Sequence, residues 1–414
     1  MPGTTIDNAS AVADCSAAAR HARLPAAAPG AGRLSVPSDS TSVPPLLPNR
    51  LERLEALRGL AAFYVVVHHV VPEQWVVGGV NVALPFRFGQ EAVILFFLLS
   101  GFVIHYSFTK GRDKSFGSYF AKRALRIYVP LIVVLVTAYL VKSWDEGGWA
   151  ELVPHVLLGN LLMLQDWEWA KPGGVVRTYL GNTPLWSLSY EWWFYMLYWP
   201  LWRVFAMSGR NTVVRDSIAL GLPVVAALVY VFLPIFAVRI VMYFSIWWAG
   251  AMIAEAYMSG RLDRPRAVLP PFASMAAITL ILLANAYVLN RDEGIPLIFG
   301  RHPLVEARHF GFAVFAFAAA LLWRRLNWRG FDSLTGVGRV LAPISYTLYI
   351  SHWFLLAEAS YLGFVGNRYV EFVGYVLVTV AFCWAVECVL YPAIRRRFMA
   401  RRHAPPASPA TASP

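Results

Sequence analysis

The run Leu54-Glu55-Ala56-Leu57-Arg58-Gly59-Leu60-Ala61-Ala62-Phe63-Tyr64-Val65-Val66-Val67-His68-His69 decides the class of this protein. From residue 57 to 75 it is almost wholly apolar, and a helix crosses the hydrocarbon core with about 20 such residues. Similar runs follow at 90–109, 127–142, 184–206, 216–234, 238–257, 268–289, 308–323, 341–361 and 369–391. The composition agrees. Of 414 residues, 58% are hydrophobic and only 14% charged, against about 25% charged in an ordinary soluble chain. The 16 Trp suit a protein with many lipid–water boundaries. The expected fold is therefore all-α, a polytopic transmembrane bundle of about ten spans.

The net charge is +12. In a soluble chain that excess suggests nucleic acid as a partner; here it follows the loops, so the expected partner is the lipid bilayer and no nucleic acid. Lys and Arg concentrate in 110–126, 203–215, 261–266, 324–339 and 395–402, and before the first span. The intervening loops are balanced or nearly uncharged. Positive loops face the cytoplasm. The two kinds alternate without a break if 152–164, short for a span, is interfacial or re-entrant. Both termini are then cytoplasmic. Residues 1–48 and 399–414, rich in Ala, Ser and Pro, are expected to be disordered tails flanking a transmembrane domain at 49–398. The tail before the first span has no apolar signal-peptide core. Cys15, Cys383 and Cys388 form no CxxC or Cys/His pattern, so no metal site is expected.

Ionisable groups inside spans are costly and usually functional. With entry from the cytoplasm near Leu57, His69 lies roughly 18 Å in, past the middle of a ~30 Å core. By the same count Glu191 lies roughly 10 Å from the outer surface, His352 roughly 16 Å and Ser100 roughly 15 Å deep. The four are expected in one slab. Arg58 and His69 are eleven residues apart, three turns plus roughly 20°, and share a helix face. His68 is turned away by about a quarter turn, which favours His69 as the reactive imidazole. Arg123 and Arg126 share another face at the cytoplasmic end of the third span. Paired guanidinium groups suit phosphates, although composition alone favours a plain positive-inside anchor. Glu191 stands in Trp186-Ser187-Leu188-Ser189-Tyr190-Glu191-Trp192-Trp193-Phe194-Tyr195, where it can act as acid or base, or orient a sugar hydroxyl among rings suited to stack on a sugar. An aromatic belt with one paired carboxylate is the plain alternative. Glu387, near the cytoplasmic end of the last span, is expected to pair with a basic residue of the tail.

These residues together resemble the acyltransferase-3 family of bacterial membrane acyltransferases. Its first span carries Arg or Lys, ten residues, then His, which selects His69. Phe96-Phe97-Leu98-Leu99-Ser100-Gly101-Phe102 is similar to its FFxxSGF, Arg123-Ala124-Leu125-Arg126 to its RxxR, the Trp186–Tyr195 segment to WSLSxExxFY, and Ile344-Ser345-Tyr346-Thr347-Leu348-Tyr349-Ile350-Ser351-His352 to ISYSLYxxH. The match runs in order over about residues 50–395. Glu55 stands where Asp is commoner, keeping the charge. No hydrolase-like outer domain is seen, so the chain is expected to be the transmembrane part alone.

The resemblance implies O-acyl transfer, commonly of acetyl, from acyl-CoA to a hydroxyl of a carbohydrate or glycosylated acceptor, at the bacterial inner membrane. Relatives modify surface polysaccharides, nodulation oligosaccharides or glycosylated antibiotics. The implied catalytic residues are His69 and Glu191. Arg58, Arg123 and Arg126 would bind the donor, acetyl-CoA as the type. Ser100, His352 and Trp186 would support substrate, with no permanently bound cofactor. The rival class is a transporter or flippase for a polar or lipid-linked glycan. It too needs polar groups at mid-depth, but the sequence shows no internal repeat to support it.

Overall fold

The computed structural model describes residues 49–207 and 212–403. The expected tail at 1–48, and residues 404–414 of the one expected at 399–414, lie outside the described residues. Eleven helical segments position the site: α1 (Asn49–Val70), α2 (Gly89–Lys110), α3 (Phe116–Asp145), α4 (Pro154–Leu161), α5 (Trp186–Met207), α6 (Thr212–Phe232), α7 (Phe236–Met258), α8 (Pro265–Glu293), α9 (Leu304–Arg325), α10 (Gly336–Ala357) and α11 (Arg368–Ala400). All but the two-turn α4 fall on the expected runs, and the bundle is an all-α membrane fold. Among the described residues, eight segments are long and apolar enough to cross a bilayer. Besides the short α4, those below that mark are α1, whose first turns carry Glu52, Arg53, Glu55 and Arg58, and α5, which is built on Trp and Tyr. With eight residues, α4 is about 12 Å long and too short to cross. The last helix continues to His403, beyond the expected domain end at 398.

Among the described residues, sheet is limited to two ladders in the connecting segments. β1 (Val76–Val77) pairs antiparallel with β2 (Val80–Asn81), and β3 (Gln165–Asp166) pairs parallel with β4 (Val176–Arg177).

Two glycine crossings set the spacing of the helices that carry the motifs. Where α2 crosses α7, a Cβ on Gly101 would stand 1.8 Å from the Trp247 carbonyl oxygen, and one on Gly250 would stand 2.0 Å from that of Leu98. Where α1 crosses α10, a Cβ on Gly59 would meet the Gly338 oxygen at 2.0 Å, and one on Gly338 would meet that of Ala56 at 2.0 Å. Backbones touch at both crossings, as small residues permit between membrane helices. Ser100 and Arg58 are the neighbours of Gly101 and Gly59, so both are carried into the bundle interior. Helix α1 lies between α2 and α10, α6, α8 and α9 gather about α7, and α3 and α11 flank α10. The core between them is aromatic, with Phe97, Tyr190, Phe194, Tyr198, Tyr243 and Trp247 fully buried.

Helix α10 is not regular. A 3-10 turn at Ala342–Ile344 precedes Ser345–His352, and a π turn follows at Trp353–Ala357. A second π turn, Ala385–Leu390, interrupts α11 and holds Glu387. Such turns recur at functional sites; here the first sets the Trp353 ring against His69 of α1, and the second sets Glu387 against Thr347 of α10.

Candidate active site

The sequence-predicted residues divide into two groups rather than one slab. The first lines a cavity of about 130 Å³ at the end of the bundle where α1 and α3 begin. Arg58, Ser100, Arg123, Arg126 and Glu191 all face it. They come from α1, α2, α3 and α5. Ser100 Oγ donates to Glu191 Oε1 at 2.9 Å, and the Tyr195 hydroxyl donates a short bond to the same oxygen. The Trp247 indole N–H donates to Ser100 Oγ at 3.2 Å. Arg58 Nε donates to Ser345 Oγ at 3.3 Å. Glu191 is thus held by Ser100 and Tyr195.

The three arginines differ in their surroundings. Arg126 pairs with Glu387 and lies over the rings of Tyr346 and Tyr391, at 4.9 and 5.3 Å. Glu387 also accepts from Thr347 N and Oγ1, at 3.2 and 2.9 Å. The partner expected for Glu387 in the tail is instead an arginine of α3. The reason is the π turn, which turns Glu387 inward. Arg123 makes no ion pair among the described residues. Its guanidinium lies 5.9 Å from the Tyr195 ring centroid, and its Nε is buried without a hydrogen-bond partner.

The second group stands three turns further along α1. The His69 and His352 ring centroids are 5.3 Å apart, and the Trp353 ring meets His69 edge-on at 5.0 Å. Helix α1 spans Asn49–Val70, so His69 falls in its last turn. The charged first turns are helical although they are not apolar, and hydropathy does not register them. His68 is engaged elsewhere: its Nδ1 donates to the Phe86 carbonyl at 2.7 Å and its ring packs on Gly89. Arg58 and His69 both face α10, where Ser345 and His352 receive them. His352 is fully buried. Its Nδ1 donates to the Leu348 carbonyl at 3.1 Å, so in the neutral ring Nε2 carries the lone pair. That Nε2 has no hydrogen-bond partner. Tyr349 stands between the groups. It lines the cavity, its ring is 6.2 Å from that of His352, and its hydroxyl is held by Ser187 at 2.7 Å and the Pro184 carbonyl at 2.9 Å.

Trp186 belongs to neither group. The Lys171 ammonium sits 3.3 Å from its ring centroid, and His309 stacks on it at 6.0 Å. This leads to a network that sequence reading missed. Asp166 accepts from Arg239 and from the Tyr190 hydroxyl at 2.8 Å each, and Lys171 lies 3.6 Å away. Arg239 also donates to the Tyr230 hydroxyl, which donates to Glu306, both at 2.8 Å. Asp166, Lys171, Arg239 and Glu306 are all buried. Burial raises the Asp166 carboxyl, but Lys171 and Arg239 outweigh it and hold it below its usual range. Burial lowers the Lys171 ammonium to about 8 despite Asp166. The available signal was Arg239 just inside a span; its partners lay in loops where charge reads as solvated.

Among known proteins, a family described as an acyltransferase domain matches residues 51–388. The acyltransferase MdmB of Streptomyces mycarofaciens is 35% identical over 170 residues, 38% of this chain and 41% of the relative. The chain therefore spans about two fifths of the length of that curated relative. No solved structure matches.

Proposed function

This chain belongs to the acyltransferase-3 family, and we propose that it moves an acyl group, acetyl as the type, from acyl-CoA to a hydroxyl of a carbohydrate or glycosylated acceptor at the bacterial cytoplasmic membrane. The observation that carries this reading is the convergence of Arg58, Arg123, Ser100 and Glu191 on one cavity, with the His69–His352 pair further along the same helices.

In this reading the donor's phosphates dock on Arg58 and Arg123, whose planar forks match phosphate oxygens. Arg126, already balanced by Glu387, positions α3 against α10 and α11. The donor's flexible arm spans the distance from Arg58 to His69, about 16 Å along the helix, passing Tyr349. Neutral His69 takes the proton of the acceptor hydroxyl as general base. The hydroxyl oxygen attacks the thioester carbonyl, the C–S bond breaks, and the departing thiolate takes the proton from His69. The His352 Nε2 lone pair stabilises the transient imidazolium. Ser100 and Tyr195 keep Glu191 fixed as a wall of the donor cavity.

The test is incubation of membranes with radiolabelled acetyl-CoA and glycan acceptors. His69→Ala should cut labelled product by about 10²- to 10⁴-fold, the usual worth of a general base, with the variant still in the membrane. An active His69→Ala protein sinks the assignment.

A further inference from the structure

The segment between α3 and α5 forms a groove of about 460 Å³ outside the bundle. That volume is within the range of small-molecule sites, about 300–1,000 Å³. Trp167, Trp169 and Tyr179 line it together with Glu151, Glu168 and Arg177. Trp169 is 74% exposed. We propose that this groove binds a neutral pyranose ring of the acceptor, as a subsite beside the reacting hydroxyl. The proposal rests on the acyl-transfer reading for the word acceptor, but not for the binding itself.

The chemistry of the lining selects the ligand. A pyranose has apolar C–H faces and a rim of hydroxyls. It suits aromatic plates flanked by carboxylates and a guanidinium, which give and take hydrogen bonds. An interfacial aromatic belt would also expose Trp. Here, however, the rings share a concavity with Glu151 and Glu168, which repel anionic lipid headgroups and acidic glycans alike. Only Arg177 offsets them, so a neutral ring fits best.

The groove is built in advance. Trp167 N donates to Asp166 Oδ1 at 2.8 Å, and Asp166 is pinned from below by Arg239 and Tyr190. The Asn160 side chain donates to the Arg177 carbonyl at 3.0 Å and accepts from Tyr179 N at 3.1 Å. Leu180, in the groove wall, holds φ at 50°. A bulky residue in that region costs about 1–3 kcal/mol and persists where surrounding structure enforces it, often at binding sites. Next to Thr183 of the groove wall, Asn182 ties this segment to α10. Asn182 Nδ2 donates to the Ile350 carbonyl at 2.8 Å, two residues before His352.

The experiment uses the full chain in lipid nanodiscs. Saturation-transfer NMR is recorded with the methyl pyranosides of glucose, galactose, mannose and rhamnose, and with open-chain glucitol as control. At least one pyranoside should receive saturation and glucitol none. Trp169→Ala should weaken that signal about fivefold, the scale of one aromatic contact. Trp149→Ala, an exposed Trp outside the groove, should leave it intact and shows that the fold is kept. Failure of every pyranoside to bind, or equal binding by Trp169→Ala, overturns the proposal. Acetyl transfer from labelled acetyl-CoA is measured on the same samples. Transfer without groove binding refutes the subsite alone; groove binding without transfer refutes the enzymatic reading alone.

Discussion

Arg126 and Glu387 provide the sharpest division between binding the donor and holding the fold. Their side chains are 27% and 3% exposed, so the carboxylate is the more deeply committed partner. Breaking a buried pair by removing one member costs about 3–5 kcal/mol, because the other charge stays behind. Glu387 retains its two bonds from Thr347, which places Arg126→Met near the lower end, about 3 kcal/mol. Glu387→Gln leaves a partly exposed arginine and should cost about 1–2 kcal/mol. The double variant removes both charges while Gln keeps an acceptor for Thr347. It should be more stable than Arg126→Met alone by about 2 kcal/mol.

Unfolding of the four proteins in nanodiscs gives this cycle, and the acyl-CoA dependence of transfer is measured on the same samples. Arg123→Met should raise the acyl-CoA requirement about 10- to 100-fold, the worth of a charged hydrogen bond of ~1.5–3 kcal/mol. The double variant should stay within about threefold of wild type, a difference below ~0.7 kcal/mol. A double variant that unfolds like wild type yet needs as much extra acyl-CoA as Arg123→Met would refute the division: Arg126 would then touch the donor.

Two further outcomes follow from the packing and the buried network. Gly101→Leu should abolish folded protein on detergent gel filtration, since even a Cβ there would lie 1.8 Å from the Trp247 carbonyl oxygen and overpacking of ordinary cores already costs about 1–3 kcal/mol; an intact, active Gly101→Leu protein contradicts the crossing. Lys171 releases its proton near 8 when folded but near its ordinary ~10.4 when unfolded, so between those values the unfolded state binds more protons and this group makes stability rise with pH. Lys171→Met should remove that rise in unfolding measured from pH 7.5 to 10, and an unchanged pH profile argues against Lys171 as its source.

The sequence reading and the structure part company at identifiable residues. Periodicity placed Arg58 and His69 on one face, and both do meet α10. Helix α1 starts at Asn49, ahead of the apolar run: helical turns outside the hydrocarbon core carry charge, and an apolar-run count begins too late. Glu191 and Ser100 were singled out by their expected depth and by the motifs they resemble. Their mutual hydrogen bond joins α2 to α5, a pairing that no local pattern contains. Glu387 was paired with the wrong cation because a π turn redirects it.

Hydropathy, loop charge and five ordered motifs determined that this is a polytopic helical protein and placed its polar groups along the chain. Those properties are local, since a span is defined by about 20 consecutive residues and a motif by fewer. The tertiary structure alone decided which polar groups meet. It joined Arg58, Arg123, Ser100 and Glu191 in one cavity, set His69 against His352, and buried Asp166 of a connecting segment against Arg239, 73 residues away. The reason is that a buried charge is tolerable only beside its partner, and that partner is supplied by packing rather than by neighbours in sequence.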